Sequence, residues 1–235
     1  MQTVIFCGGK GTRMKEETEF KPKPMVRIGE APILWHIMKI YAHHGFNEFI
    51  LPLGYKGEMI RDYFSDDLQK KNNFKITFVE TGEDASTGER LLAVKKYLRG
   101  EDFMVTYGDG VGDIDIKAVA AQHKSKNVLG TVTAARPRSQ FGLMDVDKAS
   151  GLITNFRQKP IIEDYVNVGF MVLKNSIFEH LKPAQIEDTL SLLASSGKLA
   201  AYYYGVFWKS ADTYAELEEL NSLWKSSKPW AVWQN

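Results

Sequence analysis

The 235-residue chain has one cysteine, Cys7, so no disulfide can close within it, and a reducing compartment is the expectation. Cys7 lies in an apolar run and reads as an inert buried thiol. No stretch approaches the ~18–20 apolar residues of a membrane span. The start of the chain lacks the basic region and long apolar core of a signal peptide. A cytoplasmic location without a membrane partner follows as an expectation. Charge of one sign is also missing: 30 basic residues face 29 acidic ones, for a net charge of +1. That balance argues against a general nucleic-acid surface and leaves room for a local basic pocket. There is no repeat, low-complexity tract or linker. The simplest organisation is one domain over residues 1–235, with a first half to 127 and a second from 128.

What is there alternates in period. Residues 3–7, Thr-Val-Ile-Phe-Cys, form a β-prone run that ends at Gly8-Gly9. Residues 32–44 begin with Pro32, repeat apolar residues at helical spacing and stop at Gly45. Strands are expected at 47–53, 74–79 and 102–106, and helices at 57–64, 88–98 and 115–124. Strands separated by helices imply parallel pairing with helices on both faces. After residue 128 the pattern changes. Strands are expected at 128–135, 166–173 and 199–204, a hairpin at 143–147 and 152–157, and a closing helix at 212–225. The fold class is therefore α/β, a doubly wound mixed sheet with an antiparallel C-terminal extension.

Gly8-Gly9-Lys10-Gly11-Thr12-Arg13 directly follows the first strand. Glycines let the backbone turn tightly and approach a ligand, and successive N–H groups can then bind anionic oxygens. Arg13 adds a planar fork suited to phosphate. A ligand-free turn is the plain alternative. A dinucleotide fingerprint would need glycine where Met14 stands, and a Walker-type loop would need Ser or Thr where Gly11 stands. A different kind of triphosphate loop remains.

Lys21-Pro22-Lys23-Pro24-Met25, by itself a stiff basic loop, completes a more specific pattern. Gly-Gly-x-Gly-Thr-Arg-Met, Thr18 and Lys-Pro-Lys-Pro-Met together resemble the opening of the sugar-1-phosphate nucleotidyltransferases. Pro32–Lys39, Gly54–Gly57, Thr87-Gly88-x-Arg90-Leu91, Thr106–Val111 and Phe207-Trp208 with Asp212 look most like the glucose-1-phosphate cytidylyltransferases. The resemblance implies a Rossmann-like fold of the nucleotide-diphospho-sugar transferase type. It implies in-line attack of a sugar phosphate on the α-phosphate of a nucleoside triphosphate, CTP in the leading reading, with release of pyrophosphate. Such chemistry needs charge neutralisation and positioning more than a base, because the nucleophile is already ionised. No histidine needs a catalytic role, and His36, His43 and His44 are assigned to packing or solvent.

Carried over residue by residue, Asp109 and Asp212 would hold Mg²⁺, Arg13 would grip the β- and γ-phosphates, and Lys23 would sit between the α-phosphate and the acceptor. Asp212 also reads as a cap for the helix that follows. Gly8, Gly9, Gly11, Thr12, Thr87, Gly88 and Arg90 would hold the nucleotide. Lys159, Asn167, Gly169 and Glu187 would hold the phosphorylated acceptor, with Asp188 an equal alternative to Glu187. A homo-oligomer is implied as well. Four departures stand out: a missing segment before Thr81, Glu89 where the family has glycine, Gln158 for glutamate and Val168 for glycine. The last two fall at the expected acceptor pocket and argue for an acceptor other than glucose 1-phosphate. A homologue using UTP, dTTP or GTP, and a non-catalytic nucleotide-sugar sensor, are the competing readings.

Overall fold

A computed structural model describes residues 1–11, 14, 18–205 and 207–234. The first strand, β1 (Thr3–Phe6), is buried along its whole length and lies inside a seven-stranded sheet. Its alternate residues enter two different apolar clusters. Ile5 and Cys7 pack on one face, Val4 and Phe6 on the other. A strand apolar on both faces needs helices on both sides.

The chain continues through a short ribbon, β2 (Arg27–Ile28) with β3 (Ala31–Pro32), into α1 (Ile33–His43). Then follow β4 (Glu48–Leu53), α2 (Gly57–Tyr63), α3 (Asp66–Asn72), β5 (Lys75–Glu80), α4 (Thr87–Val94), β6 (Asp102–Tyr107), β7 (Gly110–Gly112) and α5 (Ile116–Lys126). The second half supplies β8 (Gly130–Ala135), the hairpin β9 (Leu143–Val146) and β10 (Ile153–Arg157), and β11 (Val166–Lys174). It ends with α6 (Ile186–Ser195), β12 (Leu199–Tyr203), β13 (Trp208–Ser210) and α7 (Tyr214–Lys225). The main sheet runs β12-β8-β11-β6-β1-β4-β5, so strands from both halves share it.

Within that sheet β11 alone runs against its neighbours, antiparallel to both β6 and β8, while β12 pairs parallel to β8. Antiparallel pairing in the second half is therefore one reversed strand, a separate hairpin and the pairing of β13 with β7. α1, α2, α5 and α7 cover one face, and α4 and α6 the other. The sequence pattern had no helix at α3 or α6. α3 buries no residue, so it shows no apolar period. α6 does, through Ile186, Leu190 and Leu193. Among the described residues no helix is long and apolar enough to cross a membrane.

His36 is fully buried between aromatic rings of Trp35, Trp224, Trp230 and Trp233. Its Nε2 donates to the Ile28 carbonyl (2.9 Å), so its Nδ1 is left to accept from the Trp230 indole (3.3 Å). This ties the C-terminal segment to α1. Burial holds the His36 pKa down to about 4. Packing, the default from the sequence, is its role.

Candidate active site

β1 lies between β4 on one side and β6 on the other, so the chain changes direction of travel at the β1–β6 seam. Ligands in open α/β sheets bind beyond the carboxyl ends of strands at such a switch point. Here that position holds Gly8–Gly11 after β1 and Gly108-Asp109 after β6. A cavity of about 320 Å³ opens there, lined by Gly8, Gly9, Gly11, Lys23, Thr87, Arg90 and Asp109 among others.

Arg90 is 3% exposed and donates to four oxygens: the carbonyls of Leu53 (3.2 Å), Gly8 (3.0 Å) and Glu83 (3.1 Å), and the Thr81 hydroxyl (2.5 Å). None of these partners is a carboxylate, so the buried guanidinium leaves a positive field on the cavity wall. Burial lowers its pKa. Gly8 must be glycine here, because a Cβ would lie 1.9 Å from Arg90 Nη1. Lys10 pairs with Asp84 at 2.6 Å, beside Ala85 of the opposite wall.

α4 starts with a capping box: the Ser86 hydroxyl accepts from Glu89 N, and the Glu89 carboxylate accepts from Ser86 N at 2.7 Å. Glu89 therefore folds back on its own helix. Thr87 donates to Gln185 Oε1 (3.1 Å) and accepts from Ile186 N (2.7 Å), fixing α4 to α6. Gly88 packs against the carbonyls of Lys182 and Ala184 and does not line the cavity.

A second cavity of about 380 Å³ adjoins the first, and the two share Tyr107 and Asp109. Its wall includes Asn167, Val168, Glu187, Trp208, Ser210 and Asp212. The Tyr107 phenol donates to the Glu187 carboxylate, and burial together with that carboxylate raises the phenol pKa, so it stays a donor. Glu187, not Asp188, is thus the carboxylate facing the cavity. Gly169 has φ +88° and a Cβ there would meet Tyr107 Cδ2 at 2.6 Å, so the ring rests on bare backbone. Asn167 Oδ1 accepts from Gly169 N at 2.9 Å. The Trp208 indole nitrogen is buried with no hydrogen-bond partner among the described residues.

At the seam between the cavities, Lys23 Nζ donates to Asp109 Oδ2 (2.7 Å) and to Asp212 Oδ1 (2.6 Å). The side chains are 12%, 29% and 24% exposed, so the cluster is partly shielded from water. A two-stranded ribbon of β7 and β13 holds both carboxylates: Ser210 pairs with Gly110, and Ala211 N donates to Asp109 O at 2.8 Å. The helix cap that Asp212 could have supplied is made by Thr213 with Glu216. Asp113 accepts from Phe207 N and steadies the other end of the ribbon, and Asp115 caps α5. Two carboxylates are a fitting donor set for a hard divalent ion completed by phosphate oxygens. Among the described residues no cluster of three or more metal-ligating side chains occurs.

Of the residues expected from sequence, Gly8, Gly9, Gly11, Lys23, Thr87, Arg90 and Asp109 converge on the first cavity, and Asn167, Glu187, Asp109 and Asp212 on the second. Thr12 and Arg13 lie outside the described residues. Lys159 is exposed in a turn after β10, at φ +47°, and lines neither cavity. The sequence reasoning gave no role to Gln185 or Ser210. Gln185 accepts from Thr87, a neighbourhood that only the folded chain reveals, whereas Ser210 stands two residues before Asp212 and lines the same cavity.

Comparison with known proteins decides the family. The nucleotidyl transferase model matches residues 2–227. The chain belongs to the nucleotidyl transferase family. It is 42% identical to a Bacillus subtilis protein named "Probable glucose-1-phosphate cytidylyltransferase", over 99% of this chain and all of that one. It is 38% identical to the glucose-1-phosphate cytidylyltransferase of Salmonella typhimurium, with both chains fully covered. The Bacillus alignment spans 256 positions against 235 residues here, so the relative carries residues with no counterpart in this chain. Among solved structures, HddC from Yersinia pseudotuberculosis superposes with a TM-score of 0.73 at 23% identity, covering 95% of this chain and 99% of that one. A UDP-glucose pyrophosphorylase complexed with UDP-glucose gives 0.73 at 19% identity, covering 96% and 98%. These confirm the nucleotide-diphospho-sugar transferase fold. This nucleotidyl transferase is an enzyme, and its family generally uses a divalent metal.

Proposed function

We propose that this nucleotidyl transferase joins a sugar 1-phosphate, or a closely related phosphorylated acceptor, to the α-phosphate of CTP and releases pyrophosphate. The observation that carries the reading is Lys23 held between Asp109 and Asp212 where the two cavities meet. The cytidylyltransferase names of full-length relatives support CTP as the nucleotide.

In this reading the first cavity takes the triphosphate and the second takes the acceptor's carbohydrate. Backbone amides of Gly8–Gly11 face the phosphates, and Arg90 holds that loop through the Gly8 carbonyl. Arg13 is assigned to the β- and γ-phosphates on its sequence position. Thr87, and Gly88 behind it, set the α4 start that forms the base side. An oxygen of the acceptor phosphate attacks the α-phosphorus, and the bond from that phosphorus to the β-phosphate oxygen breaks. Lys23 neutralises the two anions as they approach. Mg²⁺ bound through Asp109 and Asp212 would supply further charge neutralisation on the phosphates. Glu187, Tyr107 and Asn167 orient acceptor hydroxyls, above a floor set by Gly169. Lys159 is reserved for the acceptor phosphate by sequence position alone.

Val168 is 3% exposed and belongs to the larger core cluster while bordering the second cavity. A side chain there supports an acceptor different in shape from glucose 1-phosphate. The rest of the proposal is a cytoplasmic enzyme in one domain, the first half mainly serving nucleotide and the second mainly acceptor. It assembles as a homo-oligomer: Met144, Val146, Ile153 and Phe156 form an exposed apolar face on the β9–β10 hairpin. The test is a grid of CTP, UTP, dTTP, GTP and ATP against a panel of sugar phosphates, scored by pyrophosphate release. CTP with a sugar 1-phosphate is the expected active cell. A grid without any active cell would leave the sensor reading in its place.

A further inference from the structure

We infer that Lys23 and a divalent cation compete for the same pair of carboxylates, so that Lys23 makes tight metal binding depend on the nucleotide. The inference rests on the function proposed above. Lys23 Nζ takes one oxygen from each of Asp109 and Asp212, at 2.7 and 2.6 Å. Both oxygens are therefore close enough to share one cation, and the ammonium is already that cation. A divalent ion that binds both carboxylates must either displace the ammonium or sit against it. The second arrangement sets like charges side by side in a partly buried cluster, where screening by water is weak.

Lys23 can move without its backbone. Pro22 and Pro24 restrict the main chain on either side, and residues Lys23–Met25 form a short 3-10 turn. The side chain also lines the first cavity, next to Gly8, Gly9 and Gly11. Triphosphate oxygens arriving there give the ammonium a new partner as it leaves the carboxylates. One event thus frees the metal ligands and brings Lys23 to the phosphates. Without nucleotide, the enzyme keeps its carboxylates partly neutralised by the one ammonium and binds metal poorly. Lys23 is then a positioning residue for the metal as well as a contact for phosphate.

The experiment is Mn²⁺ binding to the whole protein, followed by the paramagnetic resonance of free Mn²⁺, in wild type, Lys23→Met and Lys23→Gln. Without nucleotide, both variants should bind Mn²⁺ at least tenfold more tightly than wild type. Mn²⁺ should also raise their melting temperature more than it raises that of wild type. Adding CTP should tighten binding in wild type by at least tenfold and narrow its gap to the variants. Asp109→Asn in the Lys23→Met background should remove the gain. Equal or weaker Mn²⁺ binding in both variants overturns the inference, as does a gain that survives Asp109→Asn. If the variants gain but no nucleoside triphosphate tightens wild type, the competition stands and the nucleotide dependence falls with the proposed function. If CTP tightens wild type but the variants gain nothing, the proposed function stands and the inference falls.

Discussion

Arg90→Met tests the idea that the phosphate loop is held from behind by a buried cation. The substitution keeps most of the stem and removes the guanidinium. Four hydrogen bonds from a charged donor disappear, to Leu53, Gly8 and Glu83 carbonyls and the Thr81 hydroxyl. Each such bond is worth roughly 1.5–3 kcal/mol, but the guanidinium also pays desolvation when buried, and methionine does not. Two acceptors keep other donors: Tyr55 N remains on Gly8 O, and Thr81 N on Leu53 O. The net loss is therefore about 3 kcal/mol, well short of the gross sum. For a chain of this size that lowers the melting temperature by roughly 6–12 °C. A loosened Gly8 carbonyl should also raise KM for the nucleotide about tenfold, a cost of ~1.4 kcal/mol, with less effect on the acceptor. Gly8→Ala provides the cross-check. Its Cβ would fall 1.9 Å from Nη1 and 2.2 Å from Cζ, so it evicts the same group. The two substitutions should be strongly non-additive in denaturant unfolding, with a coupling above about 1 kcal/mol. Additivity within ~0.5 kcal/mol, or a loss below ~1 kcal/mol in Arg90→Met, would refute the reasoning.

Three further outcomes are expected. Gly169→Ala places a Cβ against Tyr107 at a backbone of φ +88°, so it should cost about 2–4 kcal/mol and raise the acceptor KM more than the nucleotide KM, read by unfolding and steady-state kinetics. Asp109→Asn should lower turnover at least ~100-fold while the melting temperature stays within a few degrees; near-normal pyrophosphate release would remove Asp109 from the chemistry. His36 is held neutral, with its pKa lowered from 6.5 to about 4, so the unfolded chain binds more protons between those values. Its contribution is fully present above pH 6.5 and is lost as pH falls through 4, with about 2 kcal/mol gone by pH 5. Urea unfolding at pH 7 and pH 5 should show that loss in wild type and a smaller one in His36→Asn.

Most of the legible strands and helices carry buried apolar residues, but the exposed β9–β10 hairpin was legible from its turn, and α6 was not legible despite its buried Ile186, Leu190 and Leu193. β1, β4 and β6 are apolar nearly throughout because both faces are covered. α3, with no buried residue, left no such trace. Pairing was legible in part. The alternation of strands and helices implies parallel pairing, which the β5-β4-β1-β6 block has, but nothing local gives that order or says that β11 inserts between β6 and β8. The site was readable where motif and fold agree, as with Lys23 and Asp109. Arg90 shows what spacing leaves out: it lines the first cavity, and it also donates to three backbone carbonyls and the Thr81 hydroxyl, contacts that no motif announces. Asp212 has two readings in the sequence, a metal ligand and a cap for the helix that follows; the capping box of Thr213 and Glu216 takes the cap, and the Asp212 carboxylate accepts from Lys23.

The ribbon of β7 and β13 explains how residues 103 positions apart come to share one ammonium. Each strand has only three residues, and neither belongs to the main sheet. Asp109 stands just before one strand and Asp212 shortly after the other. The antiparallel register, closed by the bond from Ala211 N to Asp109 O, therefore sets how far apart the two carboxylates lie. β6 fixes the Asp109 end to the sheet, and α7 begins directly after Asp212. Each cavity borrows from this same strip: Tyr107 and Asp109 border both. A shift in ribbon register would move the shared cation position and one wall of each cavity together. In the proposed function, alignment of the two substrates is thereby tied to the same backbone that spaces the carboxylates, which is what a reaction governed by positioning and charge requires.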